Sequence, residues 1–326
     1  MNKQLAKLID HIGLSLLHRQ KSKKSHFFVD FSEIPIPDQN ALKDFYLVPD
    51  LPNIKLKELH AEPSYKIWKY YYDSQLSTED DRTNINTGLF YENQSNNNPR
   101  HIIFVHGWRM DDFKKIENIF LATFKRLGYN MYFLTLPYHH ERASTHSLYN
   151  GELMISANIN RTLLAVKQAV TDIRAMIHWI KKNQSGQVAL IGISLGGFIT
   201  NLTSVVEEQI DTLISIMYTN SLACSVWNTA PGKYIRQDLE QNGFTYEQLK
   251  HYWAITDASL FQPRISREKI LLLSGKYDQY VSSEDTDRLW KAWGKPKRII
   301  YTFGHAGLIF NKKQIRDDVI DFIKNC

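Results

Sequence analysis

Cysteine is nearly absent: the chain has only Cys224 and Cys326. Two thiols so far apart in sequence do not make the framework that staples small secreted domains. With 326 residues, 43% of them hydrophobic, the chain buries a large core without one. No apolar run approaches the length of a membrane-spanning helix. The first residues, MNKQLAKLIDHIGLSLL, are interrupted by Asp10 and His11, and so lack the continuous apolar stretch of a signal peptide. Both observations, with the scarcity of cysteine, point to a cytoplasmic chain. Zinc-ligand spacings, aromatic RNA-binding signatures and long basic stripes are also missing. A formal charge of +6 and a pI near 9.0 therefore do not argue for a nucleic-acid partner.

What is present begins with an N-terminal extension, residues 1–60, read as helical and broken up by Pro35, Pro37, Pro49 and Pro52. Within it Leu5, Leu8, Ile9, Ile12 and Leu16 share one helical face, which is expected to pack on the rest of the chain. Arg19, Lys21, Lys23 and Lys24 follow at once. A basic amphipathic helix of this kind also suits a weak contact with an anionic membrane surface.

A second unit, residues 61–326, alternates strand and helix patterns. Strand-like runs occur at Tyr65–Tyr72, Thr87–Glu92, Ile102–Val105, Met131–Leu134, Val188–Ile191, Leu213–Met217, Ile270–Leu273 and Ile299–Tyr301. Most are apolar on both faces, as strands of a parallel sheet covered on both sides must be. Between them, Arg161–Lys182, Leu195–Val206, Ser282–Trp293 and Lys312–Lys324 carry helical periodicity. The class is α/β: an open, doubly wound, mostly parallel sheet of about eight strands with helices on both faces. Residues 219–262, rich in Trp, Tyr, Asn and Gln, interrupt the alternation and read as a helical, cap-like insertion over the C-terminal edge of the sheet, where such folds bind ligands.

Gly192-Ile193-Ser194-Leu195-Gly196 lies between an apolar strand and a helix. That is the context of a nucleophile elbow, a turn so tight that its flanking residues must be small, with the serine hydroxyl lifted above the sheet. His106-Gly107-Trp108 follows an earlier strand, where the Trp108 amide, with that of Leu195, would form an oxyanion hole. Gly275-Lys276-Tyr277-Asp278 and Gly304-His305-Ala306-Gly307 follow the last two strands. Histidine titrates near neutrality and can take a serine proton, and a carboxylate fixes its tautomer. Ser194, Asp278 and His305 are the candidate triad. After the strand ending at Leu134, the run Pro137-Tyr138-His139-His140-Glu141-Arg142 lies near the site. Tyr138, Arg142, His106 and Trp227 are candidates to line a substrate pocket. For Arg142 a structural ion pair with a glutamate, Glu152 being the nearby candidate, is favoured over a contact with substrate. The adjacent histidines lack metal-ligand spacing, and no metal or other cofactor is expected.

HGW, GISLG, GKYD and FGHAG resemble the signature positions of the α/β-hydrolase superfamily, and the resemblance covers about residues 65–326. Within it the layout is similar to the dienelactone hydrolase and prolyl-oligopeptidase-like branch, which includes acetyl esterases. The resemblance implies a serine hydrolase of the carboxylesterase kind, acting on a small-molecule ester through an acyl-enzyme. A peptidase or amidase, or an acyltransferase, would use the same residues. A non-catalytic binding protein on the same fold is the alternative of another class.

Overall fold

Short runs of branched and aromatic residues build one nine-stranded sheet in the computed structural model, which describes residues 1–19, 39–96 and 98–326. The strands are β1 Lys55–Glu62, β2 Tyr65–Asp73, β3 Ile85–Asn93, β4 His101–Val105, β5 Asn130–Leu134, β6 Val188–Ile193, β7 Thr212–Ile216, β8 Ile270–Gly275 and β9 Lys297–Tyr301. Their order across the sheet is β1-β2-β3-β5-β4-β6-β7-β8-β9. The first three and their junction with β5 are antiparallel. From β5 to β9 the sheet is parallel.

The eight runs read from the sequence are all strands, and β1 is the addition. Its side chains are all exposed, so it carries no buried face to reveal itself. It crosses residue 60, so the expected boundary between extension and second unit falls inside a strand of the sheet. Lysines and an irregular register between Glu58 and His60 mark this edge.

Ten helices accompany the sheet: α1 Lys3–His18, α2 Gln39–Phe45, α3 Lys114–Arg126, α4 Ile159–Asn183, α5 Leu195–Val206, α6 Leu222–Asn228, α7 Lys233–Gln241, α8 Tyr246–Tyr252, α9 Ser283–Ala292 and α10 Lys312–Lys324, all among the described residues. Strand β4 shows how both faces are used. Ile103 and Val105 pack with Val166 and Val170 of α4 and Leu202 of α5. Ile102 and Phe104 point the other way, to Phe120 and Phe124 of α3 and Val319 of α10. Each such side chain contributes about 1.5–3 kcal/mol by leaving water. Residues 219–262 form α6, α7 and α8 between β7 and β8.

The N-terminal helix corrects an expectation. Ala6, Asp10 and Leu14 are its buried residues. Leu5, Leu8, Ile12 and Leu16 face outward, 48%, 55%, 52% and 55% exposed. Ala6, Leu14 and the hydrogen-bonding carboxylate of Asp10 form the side of this helix that lies against the loops. The basic run Lys21, Lys23 and Lys24, and Pro35 and Pro37, lie outside the described residues.

Candidate active site

The chain leaves β6 through Ser194, whose φ of +57° and ψ of −116° are strained for a residue with a side chain. Its amide donates to Ile216 O of β7 at 2.8 Å, which holds the turn against the sheet. A Cβ at Gly196 would stand 2.1 Å from Val105 O, and one at Gly192 would stand 2.3 Å from Gly196 O. Only glycines close this elbow. It presents Ser194 to the floor of a cavity of about 690 Å³.

His305 and Asp278 meet the serine there. Ser194 Oγ lies 3.0 Å from His305 Nε2, and His305 Nδ1 lies 2.9 Å from Asp278 Oδ2. With Nδ1–H donating to the carboxylate, Nε2 is the acceptor for the serine hydroxyl. The other Asp278 oxygen accepts the amides of Tyr280 at 2.8 Å and Val281 at 3.0 Å, which fixes the carboxylate's angle. Burial alone would lower the His305 pKa. The charge and hydrogen bond of Asp278 outweigh it and raise the imidazole above its usual value. Such a relay can take a proton from a hydroxyl as the oxygen attacks an electrophile.

Sequence reasoning missed the residue that joins these loops. Asp10 is fully buried. Its carboxylate accepts the amides of Gln279 at 2.9 Å, His305 at 3.0 Å and Ala306 at 2.8 Å. One side chain of α1 thus ties the loop carrying Asp278 to the loop carrying His305. A Cβ at Gly304 would lie 2.4 Å from an Asp10 oxygen, so glycine is required there. Desolvation raises the Asp10 pKa despite those amides. The signal was present in the sequence as a lone carboxylate inside an apolar helix. The Tyr280 ring stacks on the His305 imidazole at 4.6 Å, completing the support.

The two expected backbone donors flank the serine. Leu195 opens α5, so its amide has no acceptor within the helix. A Cβ on Gly107 would lie 3.3 Å from Ser194 Cβ, so the turn bearing Trp108 passes close by. Neither the Trp108 nor the Leu195 amide meets an acceptor among the described residues. The Trp108 indole lines the cavity and donates to Gly151 O at 2.8 Å.

Trp108 and Leu195 line the cavity, with Leu17, Leu222, Val226 and Ile235 among its apolar walls. His106, Tyr138, Arg142 and Trp227, expected as pocket residues, do not line it. His106 is buried, with Nδ1 donating to Gly107 O at 2.9 Å and Nε2 accepting the Leu136 amide at 3.1 Å. Burial and the neighbouring His139 and His140 lower its pKa well below the usual value, so it stays neutral. Tyr138 packs into the core beneath. Arg142 is fully buried against Asp172 of α4 at 2.8 Å and donates to Thr135 O and Thr83 O, a structural ion pair with Asp172 as the partner where the sequence pointed to Glu152. Trp227 packs on the helical segment beside Tyr246. His139 accepts the Arg109 amide, and burial pushes its pKa down to about 3. Among the described residues no cluster of three or more His, Cys, Asp or Glu is arranged to hold a metal ion, and no helix is long and apolar enough to cross a membrane.

The fold has counterparts. The family described as alpha/beta hydrolase domain containing 18 matches residues 133–252. The uncharacterized protein YdjC of Bacillus subtilis (strain 168) is 47% identical over 112 residues, 34% of this chain and 97% of that protein. An acetyl xylan esterase from Paenibacillus sp. R4 superposes with a TM-score of 0.67 at 14% identity, over 96% of this chain and 99% of that one. The chain belongs to the α/β-hydrolase superfamily. Another relative of this superfamily member, the uncharacterized protein Rv2627c of Mycobacterium tuberculosis (strain ATCC 25618 / H37Rv), is 26% identical over 228 residues, 66% of this chain. The match spans about half of that relative, 51% of its length. A second solved structure, acetyl xylan esterase 1 from Thermoanaerobacterium sp. JW/SL YS485, superposes with a TM-score of 0.64 at 14% identity, over 89% of this chain and 94% of that one.

Proposed function

We propose that this chain is a serine hydrolase that cleaves a carboxylic ester through an acyl-enzyme. The observation that carries the reading is the hydrogen-bonded line Ser194 Oγ–His305 Nε2 and His305 Nδ1–Asp278 Oδ2 at the floor of an apolar cavity.

In this mechanism Ser194 Oγ attacks the ester carbonyl carbon while His305 Nε2 takes the hydroxyl proton. Asp278 stabilises the resulting imidazolium. Negative charge grows on the carbonyl oxygen, and the Leu195 and Trp108 amides donate to it, aided by the positive end of α5. As the tetrahedral species collapses, the carbon–oxygen bond to the leaving alcohol breaks and His305 returns its proton to that oxygen. Water then repeats both steps on the acyl-enzyme, releasing the acid and restoring Ser194. No cofactor enters this scheme. An ester substrate is in keeping with the two acetyl xylan esterases that share the fold. The apolar walls of the cavity favour an apolar acyl group larger than acetyl.

Fluorophosphonate labelling of the full chain beside Ser194→Ala, mapped by mass spectrometry, tests the reading. Labelling at Ser194 that vanishes in the variant, followed by turnover of p-nitrophenyl esters, is expected. A folded wild-type protein that resists the probe would leave the non-catalytic binding protein as the better reading.

A further inference from the structure

The outward face of α1 is apolar, cationic and continuous with the mouth of the cavity. Leu5, Leu8, Ile12 and Leu16 are exposed along it. Leu16 also lines the cavity, and so do the exposed Leu148 and Ile309 from two other segments. Phe310, beside Ile309, is 69% exposed. Large apolar side chains gathered in this way on a water-facing surface mark a site of contact. Along α1 the charges point in one direction too. Lys3 and Lys7 are exposed on the helix, and its only carboxylate, Asp10, is turned inward and fully buried. The solvent side of α1 therefore offers leucine, isoleucine and lysine with no anion among them.

We propose that the chain docks on a membrane containing anionic lipid, through the outward face of α1 and the adjoining rim of the cavity. A helix lying in the interface sinks its apolar side to the level of the acyl chains and leaves its lysines among the phosphates. A second copy of this chain is a poorer occupant. Pairing two α1 faces would set Lys3 and Lys7 against a helix that has no exposed carboxylate to receive them. Docking by α1 also turns the cavity mouth toward the bilayer, because Leu16 belongs to both. Docking itself does not depend on the role given to Ser194. Its consequence, that the ester hydrolysed is carried by the lipid phase, rests on that reading.

Flotation of the full chain with vesicles of phosphatidylcholine alone, and of phosphatidylcholine mixed with phosphatidylserine, tests the docking. Binding to the mixed vesicles, weakened by salt, is expected. Leu8→Gln/Ile12→Gln should lower the partition coefficient about tenfold or more. Lys3→Glu/Lys7→Glu, which touches no apolar residue, should lower it on the mixed vesicles while melting like the wild type. Ser194→Ala should bind as the wild type does, so a failed nucleophile and a failed docking face give different results. Equal flotation of wild type and both surface variants overturns the proposal, as does the absence of wild-type binding. A doubled mass in solution that Leu8→Gln/Ile12→Gln halves, without vesicle binding, would assign the face to a second copy. A large fall in melting temperature in that variant, again without vesicle binding, would mean that the face is covered from within the chain.

Discussion

The Asp10 carboxylate, on the first helix, accepts the amide of His305 at 3.0 Å, 295 positions further along the chain. The same side chain holds Gln279, next to Asp278. The spacing between the candidate base and its carboxylate partner is thus set from outside the loops that carry them. On the proposed mechanism Asp10 would act as a positioning residue, reaching the serine only through His305.

Replacing Asp10 by Ala leaves three loop amides without their acceptor. The expected loss is about 2–4 kcal/mol in urea unfolding. Ester turnover should fall roughly ten- to a hundredfold in kcat, with KM little changed, as a base displaced by about an ångström would give. Asp10→Asn keeps one accepting oxygen and should fall between. Because the Asp10 charge also helps to raise the His305 pKa, both variants should move the acid limb of the rate profile to lower pH. An unmoved limb with full turnover would show Asp10 to be structural only. Gly304→Ala approaches the same contact from the other side, since its Cβ would lie 2.4 Å from an Asp10 oxygen. It should reproduce the kcat loss without an altered charge.

The pH profile follows from His305. The imidazole must be neutral to accept the serine proton, and Asp278 holds its pKa above the ordinary 6.5. Activity should therefore decline on acidification through a midpoint above that value. Asp278→Asn removes the charge that raises it. The midpoint should drop, and kcat should fall by on the order of 10⁴. Initial rates on a soluble p-nitrophenyl ester between mildly acidic and mildly basic pH give both numbers.

Arg142 should matter for stability and not for specificity. It is fully buried against Asp172 and away from the cavity. Arg142→Met strands a buried carboxylate and should cost about 3–5 kcal/mol in chemical denaturation. Arg142→Met/Asp172→Leu removes both charges and should recover part of that loss. A substrate preference changed by Arg142→Met in stable protein would contradict its placement.

Cavity size should set acyl preference. Val226 lies on the wall contributed by α6. Val226→Trp fills space there and should shift the best p-nitrophenyl ester to a shorter chain, with fluorophosphonate labelling of Ser194 retained. An unchanged chain-length profile would place the acyl group elsewhere in the cavity.

Much of this was legible locally. Strand β4 reads as a strand because both of its faces are apolar, and it is covered on both sides. Helix α10 spans Lys312–Lys324, as its periodicity implied, with Ile315, Val319, Phe322 and Ile323 buried. The Ser194 elbow was visible because a turn that tight admits little but glycine at its flanks. By contrast, β1 has no buried face, so nothing in its residues distinguishes it from a polar loop. Tyr138 and Arg142 follow a strand end near Ser194, which is as far as proximity along the chain can carry. Whether they point into the cavity or beneath it depends on Asp172 and the core.

The sequence by itself determined the alternation of strands and helices, the elbow, and the order Ser194, Asp278, His305, because short-range backbone sterics and hydrophobic periodicity act within a few residues. The tertiary structure alone decided which face of α1 turns inward. Periodicity favoured Leu5, Leu8, Ile9, Ile12 and Leu16 for burial. The three amides collected by Asp10 come from loops near the other end of the chain, and their hydrogen bonds to a carboxylate that would otherwise be buried unpaired oriented the helix the opposite way.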